Sequence, residues 1–254
     1  MRYFLDIAYK GTDYHGWQKQ NNAITVQSEL EKTLRILLGI PVETLGSGRT
    51  DTGVHAQQQI IHFDVPRVLD AEKLVYKLNA LLPKGIAAKK IWPVPFDAHA
   101  RFDAVSRSYQ YHLITEKTPF LANEHYFYSR PLDVERMNTA AKLLLQYTDF
   151  ESFSKIKTEV NNFVCHISRA EWERFADNHL VFHISANRFL RGMVRAIVGT
   201  LLEVGIGRMT PEQFAQIIES KDRQKAGRAA PPEGLFLSEV VYPPHLYLSH
   251  IHEV

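Results

Sequence analysis

The segment GSGRTDTGVHA, from Gly46 to Ala56, places charged side chains and glycines in one polar stretch between apolar residues. Arg49 stands two positions before Asp51, and His55 follows four positions after it. A nearby guanidinium favours the ionised form of a carboxyl group. An ionised carboxylate at neutral pH can act as a nucleophile or as a general base. The segment therefore predicts a site at which Asp51 carries out covalent or acid–base chemistry.

Three other kinds of site or turn could contain these residues. A surface turn, in which Asp51 accepts backbone N–H bonds and the glycines adopt positive φ, explains the same residues and stays open. A dinucleotide-binding loop is disfavoured, because Asp51 occupies the position of the third glycine and would repel a pyrophosphate. An aspartic protease is also disfavoured: the triplet Asp51-Thr52-Gly53 occurs once, and that chemistry needs two carboxylates sharing a proton.

A second group of candidate residues is basic and aromatic. Arg188, Arg191 and Arg195 are spaced by three and four, so a helix that follows Asn187 would carry them on one face. A solvated basic helix face explains that spacing equally well. Basic residues next to aromatic ones are typical of proteins that bind single-stranded nucleic acid. Further residues of these types are Arg107, Tyr109, Tyr111, Lys221, Arg223, Lys225 and Arg228.

The segment AAPPEGLFL, residues 229–237, reads by itself as a rigid turn that leads into a strand. No metal site is predicted from the histidines, because His15, His55, His62 and His99 lack zinc-type spacing. His250 and His252 lie near the end of the sequence, where we expect mobility.

Composition limits the classes of protein to consider. The 254 residues are 45% hydrophobic and 23% charged, which is ordinary for a globular protein of one or two domains. A formal net charge of +2 neither requires nor excludes a polyanionic partner. One cysteine favours a reducing compartment, and no export signal or membrane span is expected, so the sequence predicts a soluble, cytoplasmic protein.

The elements that must position these residues are predicted from periodicity and capping. In the first half we expect a strand over 3–9, a helix from the cap Thr25 to Gly39, a short strand over 42–45 and a strand over 61–65. A helix capped by Asp70 and a strand over 86–94 complete this half, and the polar stretch 46–58 is expected to be a loop.

The second half repeats this order. We expect a strand around Tyr109, a helix over 133–145, two strands around Trp172 and Phe182, the helix over 190–204, an inserted helix capped by Thr210 and a final strand over 235–242. Strand, helix, strand, strand, helix, strand is the order of ferredoxin-like folds. The sequence therefore predicts an α+β protein with antiparallel sheets and two βαββαβ domains, residues 1–104 and 105–254.

Six segments taken together resemble the tRNA pseudouridine synthase A family, in order and over essentially the whole chain. They are YKGTDYHGWQKQ (9–20), GSGRTDTGVHAQQQ (46–59), RSYQYHL (107–113), DFESFSK (149–155), RFLRGMVRAIVGTLLEVG (188–205) and APPEGL (230–235). The resemblance implies the pseudouridine synthase fold with an active-site cleft between the domains. It also implies a cofactor-free homodimer that isomerises uridines at positions 38–40, in the anticodon stem-loop of tRNA.

The resemblance also implies a role for individual residues. Asp51 matches the catalytic aspartate, and Arg49 matches the residue that helps to hold the target nucleotide out of the stack. Tyr109 matches the tyrosine packed against the base, Arg195 the basic partner of the aspartate, and Leu235 an apolar wall of the pocket. Arg188 and Arg191 are expected to contact the tRNA backbone.

The implied reaction agrees with the chemistry of these residues. Isomerising uridine breaks the bond from ribose C1′ to N1 and rejoins the base through C5, with nothing oxidised or added, so no cofactor is expected. A charged Asp51 could attack the nucleotide or remove a proton, and the sequence leaves that choice open. The alternative function is a non-catalytic RNA-binding module, because ferredoxin-like sheets with basic and aromatic residues also bind RNA.

Overall fold

The computed structural model describes residues 1–156 and 162–247 and divides into two compact units. The first unit comprises Met1–Val105 together with the segment that begins at Leu237, and the second comprises Ser106–Phe236. His250 and His252 lie outside the described residues. Within the described ranges, no helix is long and apolar enough to cross a membrane.

The first unit contains the predicted order of elements. They are strand β1 (Arg2–Tyr9), helix α1 (Val26–Leu38), strands β2 (Thr44–Gly46) and β3 (His55–Asp64), helix α2 (Ala71–Leu81) and strand β4 (Ile86–Val94). The central strand β1 pairs antiparallel with β3 on one side and with β4 on the other, and β2 pairs with β3. This is the strand order of a ferredoxin-like fold.

Local signals set the ends of the two helices in this unit. Thr25 and Ser28 form a capping box at the start of α1, and Gly39, in the left-handed conformation at φ 75°, ends it. The Asp70 side chain accepts from the backbone N–H of Lys73 at the start of α2. The helices bury one apolar face each. Their fully or nearly fully buried members are Val26, Leu30, Leu34, Leu74 and Leu78.

The C-terminal segment differs from the prediction that residues 105–254 form one domain. The backbone N–H of Val105 donates to the carbonyl of Val241 (2.8 Å), and the indole N–H of Trp92 donates to the carbonyl of Leu246 (2.8 Å). The Tyr242 ring packs 5.1 Å from the ring of Phe4 in β1. These contacts hold residues 237–247 in the first unit. They join residues far apart in sequence, which periodicity does not reveal.

The second unit contains strands β5 (Ser106–Ile114) and β6 (Tyr126–Phe127), helix α3 (Val134–Leu143), strands β7 (Ile167–Ala176) and β8 (His179–Ala186), and helices α4 (Met193–Gly205) and α5 (Pro211–Ser220). Strand β9 (Leu235–Val241) starts in this unit and continues into the first. Strand β8 lies antiparallel between β5 and β7, and β6 pairs parallel with β5. The α+β class with mostly antiparallel strands is thus confirmed.

The core of the second unit lies between α3, α4 and the inner face of the β5–β8–β7 strands. Helix α4 is buried almost all round, since 11 of its residues are buried. It packs against Met137 of α3, which is fully buried and lies next to Gly205 of α4. Burying a large apolar side chain contributes about 1.5–3 kcal/mol, so this packing fixes the position of α4.

Candidate active site

Asp51 lies in a tight turn of the first unit that the surrounding backbone holds in place. The carbonyl of Asp51 accepts from the backbone N–H of Val54 (3.1 Å), and Gly53 has a positive φ of 78° that favours glycine. Thr50, the preceding residue, is buried and its hydroxyl lies 2.9 Å from the Tyr9 hydroxyl. Asp51 itself is half-buried. The turn therefore presents the carboxylate from a rigid support.

The segment YKGTDYHGWQKQ (9–20), which we call the N-terminal motif, packs directly against this turn. The backbone N–H of Gly11 donates to Nδ1 of His55 (3.1 Å), and that of Trp17 donates to the carbonyl of Thr50 (3.2 Å). A Cβ on Gly11 would overlap the carbonyl oxygen of Val54, and one on Gly16 would lie 2.5 Å from that of Thr50. The two motifs, far apart in sequence, thus form one structure that only glycines permit at these contacts.

The polar stretch before Asp51 is held by side chains of β3. The Ser47 hydroxyl donates to Oε1 of Gln59 (3.1 Å), and Nε2 of Gln59 donates to the carbonyl of Gly48 (2.9 Å). The prediction placed 46–58 in a loop, whereas β3 begins at His55. This part of the prediction was wrong because His55, the first residue of β3, is buried although its side chain is polar, so composition did not reveal the start of the strand.

Arg49 projects from the same stretch into solvent. Its side chain is exposed and makes no hydrogen bond or ion pair with residues of the ranges 1–156 and 162–247. The neighbouring charge expected to favour an ionised Asp51 is therefore not a direct contact. An exposed guanidinium is instead suited to bind a phosphate.

Tyr109 of the second unit lies half-buried on β5, where its ring meets that of Phe189 edge to face at 5.1 Å. Phe189 received no role from the sequence, although it belongs to the RFLRG motif. Tyr111, two residues along the same strand face, is fully buried, and its hydroxyl donates to the carbonyl of Pro231 (2.9 Å). Burial raises the pKa of the Tyr111 phenol well above its usual range. Tyr111 is thus a structural residue and is not available to stack on a base.

Arg195 lies in the first turn of α4 and forms hydrogen bonds with Ala230, the first residue of the APPEGL segment. Its Nε donates to the carbonyl of Ala230 (2.7 Å), while the backbone N–H of Ala230 donates to the Arg195 carbonyl (2.8 Å). The close approach of the two segments requires Gly199, because a Cβ there would overlap the carbonyl of Arg228. The backbone N–H of Gly227 donates to the Thr200 hydroxyl (2.9 Å), which adds a second tie.

Leu235 is buried at the start of β9, directly after the short 3-10 turn Pro232–Gly234. A Cβ on Gly234 would lie 2.7 Å from the carbonyl oxygen of His112 and 2.8 Å from the Tyr111 ring. The glycine therefore allows the APPEGL segment to lie flat against β5. Leu235 is positioned by that contact.

The prediction that Arg188, Arg191 and Arg195 share a helix face was wrong. Helix α4 begins at Met193, after Gly192 at a φ of 72°, so the first two arginines precede it. Nη1 of Arg188 donates to Oδ1 of Asn162 (3.3 Å), and the carbonyl of the exposed Arg191 accepts from the backbone N–H of Lys155 (3.0 Å). Gly192, in the left-handed conformation, is the N-cap of α4, so the helix starts after it, which the three-four spacing alone does not reveal.

The candidate residues thus form two groups, each with its own support. Arg49 and Asp51 belong to the first unit, and Tyr109, Arg188, Arg191, Arg195 and Leu235 belong to the second. The glycine-dependent contacts join the motifs within each unit: the N-terminal motif with the Asp51 turn, and APPEGL with β5 and α4.

The sequence model of the tRNA pseudouridine synthase family matches residues 7–103 and 140–243, which include six of these seven positions. Tyr109 lies between the two matched ranges. The chain belongs to the tRNA pseudouridine synthase family, and it is an isomerase of that family, which converts uridine in tRNA to pseudouridine.

Individual relatives carry a more specific name. A protein of Bacteroides thetaiotaomicron named tRNA pseudouridine synthase A is 51% identical over 248 residues, covering 97% of this chain and 92% of its own length. Proteins with the same name from Parabacteroides distasonis and Bacillus subtilis are 52% and 46% identical, covering 97% and 95% of this chain and 98% and 99% of their own lengths. The predicted resemblance is thereby confirmed, and the binding-only alternative is not favoured.

Proposed function

We propose that this chain isomerises uridines of the anticodon stem-loop of tRNA, with Asp51 as the catalytic carboxylate. The observation that carries the proposal is the Asp51 turn, which glycine contacts and the Gly11–His55 hydrogen bond hold rigid while the side chain stays half-buried. A surface turn with no chemical role has no need of such support on both sides. Catalytic groups do, because small displacements of reacting atoms lower the rate strongly.

The reaction that Asp51 would perform is balanced without any added group. The C1′–N1 bond of the uridine breaks, the base turns, and a new bond joins C1′ to C5. The proton on C5 leaves to solvent and N1 takes up a proton. Asp51 could attack the ribose, attack the base or remove a ribose proton, and each route requires its ionised form.

The other candidate residues would bind the nucleotide. A uridine within a stem must leave the stack, which costs a few kcal/mol, and stacking on an aromatic ring returns about 1–3 kcal/mol. We assign that stacking to Tyr109, which is half-buried and supported by Phe189. Leu235 would supply an apolar wall, and Arg195 a cation fixed by Ala230. Arg49, Arg188 and Arg191 would contact the tRNA.

Two further features of the proposal rest on the resemblance to the family alone. They are assembly as a homodimer and location in the cytoplasm. Sedimentation of the purified chain and fractionation of cells that express it test these features independently of the chemistry.

The test of the proposed function is release of tritium from tRNA transcripts that carry 5-tritiated uridine. The wild-type chain is expected to release it, because C5 loses its hydrogen when the new bond forms. Asp51→Asn should abolish release while tRNA binding persists, since the amide fits the turn but lacks the charge. Asp97→Asn is the matched control, because Asp97 is an exposed turn residue of the same unit. Its rate should equal that of the wild type.

Three outcomes would each contradict a different part of the proposal. Substantial turnover by Asp51→Asn would remove Asp51 from its role. Binding of tRNA by the wild type with no tritium release would leave an RNA-binding module instead of an enzyme. Transcripts with the anticodon-stem uridines replaced by cytidine should release less tritium. Unchanged release from those transcripts would contradict the choice of stem-loop.

A further inference from the structure

Three histidines of the second unit, which we call the histidine trio, lie together: His112, His125 and His179. Each offers one ring nitrogen, and these atoms all lie within 4.8 Å of one another. The ring centroids are 5.1 Å apart for His112 and His125, 5.2 Å for His112 and His179, and 4.7 Å for His125 and His179. All three side chains are half-buried. None of them takes part in the proposed chemistry.

The pairing of three strands brings the trio together. In the β5–β8 register, His112 lies opposite Val181 and Ile114 opposite His179, so His112 and His179 are diagonal neighbours on the same face. Strand β6 pairs parallel with β5, with Tyr126 opposite Leu113. His125, one residue before Tyr126, is therefore level with His112. The spacing of 13 and 54 residues along the chain conceals this arrangement.

The ring of His112 is oriented as a metal ligand requires. Its Nε2 lies 3.2 Å from Oε1 of Gln110, so an Nε2–H would donate to that amide oxygen. Nδ1 then carries the lone pair, and it lies 3.0 Å from Nε2 of His179. A histidine that binds a metal usually donates its other N–H to an oxygen in this way, which fixes the tautomer and the ring direction.

The distances suit a tetrahedral ion. Zinc binds imidazole nitrogen at about 2.0–2.1 Å, which places two ligand nitrogens roughly 3.3 Å apart. Nδ1 of His112 and Nε2 of His179 lie 3.0 Å apart, which is close to that value. All three ligand nitrogens lie within 4.8 Å of one another, so small side-chain movements would bring them to the zinc distances. The ring of Phe236 packs against the trio with its centroid 5.0 Å from that of His112, and the exposed Phe175 ring lies 5.1 Å from that of His179.

We propose that the histidine trio binds one divalent transition-metal ion, Zn²⁺, through three imidazoles with water at the fourth position. Neutral imidazole favours Zn²⁺ over the oxygen-seeking Mg²⁺ and Ca²⁺. Because the ligands come from β5, β8 and the residue that precedes β6, the ion ties the short strand β6 to the sheet. Its role is structural and independent of the isomerase chemistry of Asp51.

The competing explanation is a hydrogen bond from Nε2–H of His179 to Nδ1 of His112, with no ion. The amount of Zn²⁺ that the chain binds distinguishes the two explanations. Metal-free chain, prepared with a chelator and returned to buffer, is dialysed against Zn²⁺, and bound metal is counted by mass spectrometry. All zinc measurements use a chain that also carries His250→Ala and His252→Ala. Zinc bound by these two histidines is therefore not counted. We expect one tightly bound Zn²⁺ per chain.

Variants then assign the ion to the trio. His125→Gln removes a ligand that lies outside the β5–β8 pairing, and His179→Gln is the second variant should the first misfold. Loss of an outer-shell partner alone weakens metal affinity by about 10–100-fold, so loss of a ligand should weaken it at least 100-fold. The control His166→Gln changes an exposed histidine of the same unit and should leave the affinity unchanged.

Two further measurements distinguish an ion bound by the histidine trio from ions bound non-specifically at the protein surface. Bound Co²⁺ should show the visible absorption of a tetrahedral ion in the wild type and lose it in His125→Gln. Added Zn²⁺ should raise the melting temperature of the wild type and of His166→Gln, and leave that of His125→Gln unchanged, because an ion that binds the folded state stabilises it. Absence of saturable binding, or binding that survives both trio variants, would overturn the proposal. Tritium release by the metal-free chain tests the separate claim that the ion has no part in the chemistry.

Discussion

Arg195 and Ala230 exchange two hydrogen bonds: Nε of the arginine donates to the carbonyl of the alanine (2.7 Å), and the backbone N–H of the alanine donates back to the carbonyl of the arginine (2.8 Å). The guanidinium is therefore oriented by the backbone of the APPEGL segment and not only by its own rotamer. Because the guanidinium is planar, this contact also restricts the direction of its terminal nitrogens. A planar cation needs such a fixed orientation to bind a substrate group.

Arg195→Lys tests this arrangement, because lysine keeps the charge but lacks the Nε donor. We expect the catalytic rate to fall at least about tenfold, since a displaced cation stabilises the transition state less. Single-turnover tritium release measures the rate, and circular dichroism verifies the fold. Arg35→Lys, an exposed position on α1, is the matched control. A full rate in Arg195→Lys would show that charge alone is needed.

Gly199→Ala tests the close approach of α4 to the segment before Ala230. The added Cβ would overlap the carbonyl of Arg228, a backbone atom that cannot rotate away. We expect the free energy of unfolding to fall by about 1–3 kcal/mol or more, as for other overpacked sites. Urea denaturation measures it. Gly48→Ala is the control, since its Cβ meets nothing within 4 Å. Equal stabilities of the two variants would contradict the contact.

The parts of the fold that follow local chemistry were predicted from the sequence. The caps Thr25, Asp70 and Thr210 each hydrogen-bond to the first turn of a helix, and the helices begin where those residues stand. A cap acts on residues three positions away, so a single sequence contains the whole signal. The Asp51 segment is likewise visible in the sequence, because its charges and glycines are contiguous.

The contacts that join distant segments were not predictable in this way. The start of α4 depends on Gly192 adopting a positive φ, which a glycine permits but does not require. The histidine trio depends on the register between β5 and β8, which is set by the whole apolar face of the sheet. Residue spacing does not predict such sites, because the interactions that form them join residues far apart in sequence.

Stability at acid pH should depend on His62, which is buried in the first unit and accepts at Nδ1 from the backbone N–H of Ala100 (3.1 Å). Burial, with a contribution from nearby Arg2 and His99, lowers the pKa of His62 to about 4. The unfolded chain, with an ordinary histidine pKa near 6.5, binds the proton first. Stability is therefore full above about pH 6.5 and decreases as the pH falls towards about 4, by up to about 3 kcal/mol.

His62→Asn removes the titrating group but keeps an acceptor for the N–H of Ala100. Urea denaturation of both proteins across this pH range should show a shallower decrease for the variant. The neighbouring residues Asp64, Asp103, His99 and Arg2 are the same in both proteins. Parallel curves for the two proteins would show that His62 does not set the acid sensitivity.

Binding of tRNA should depend on salt through the exposed arginines Arg49 and Arg191. Each phosphate contact that a protein makes releases counterions, so the logarithm of the affinity falls linearly with the logarithm of the salt concentration. Arg49→Gln and Arg191→Gln should each reduce the magnitude of that slope by about 0.7–0.9. Fluorescence anisotropy of labelled tRNA at several salt concentrations measures it. The exposed Arg174 of β7, which the resemblance does not include, provides the control Arg174→Gln, expected to keep the full slope.

The two arginines should nevertheless differ in their effect on turnover. Arg49 stands two residues from Asp51 in a stretch that Gln59 holds in place, so its loss should also lower the rate with bound tRNA. Arg191 is positioned through a backbone contact with Lys155 and should affect affinity alone. Saturating tRNA should therefore restore the rate of Arg191→Gln but not that of Arg49→Gln. If saturating tRNA restored the rates of both variants, Arg49 would only contact a phosphate. It would then not help to hold the flipped nucleotide.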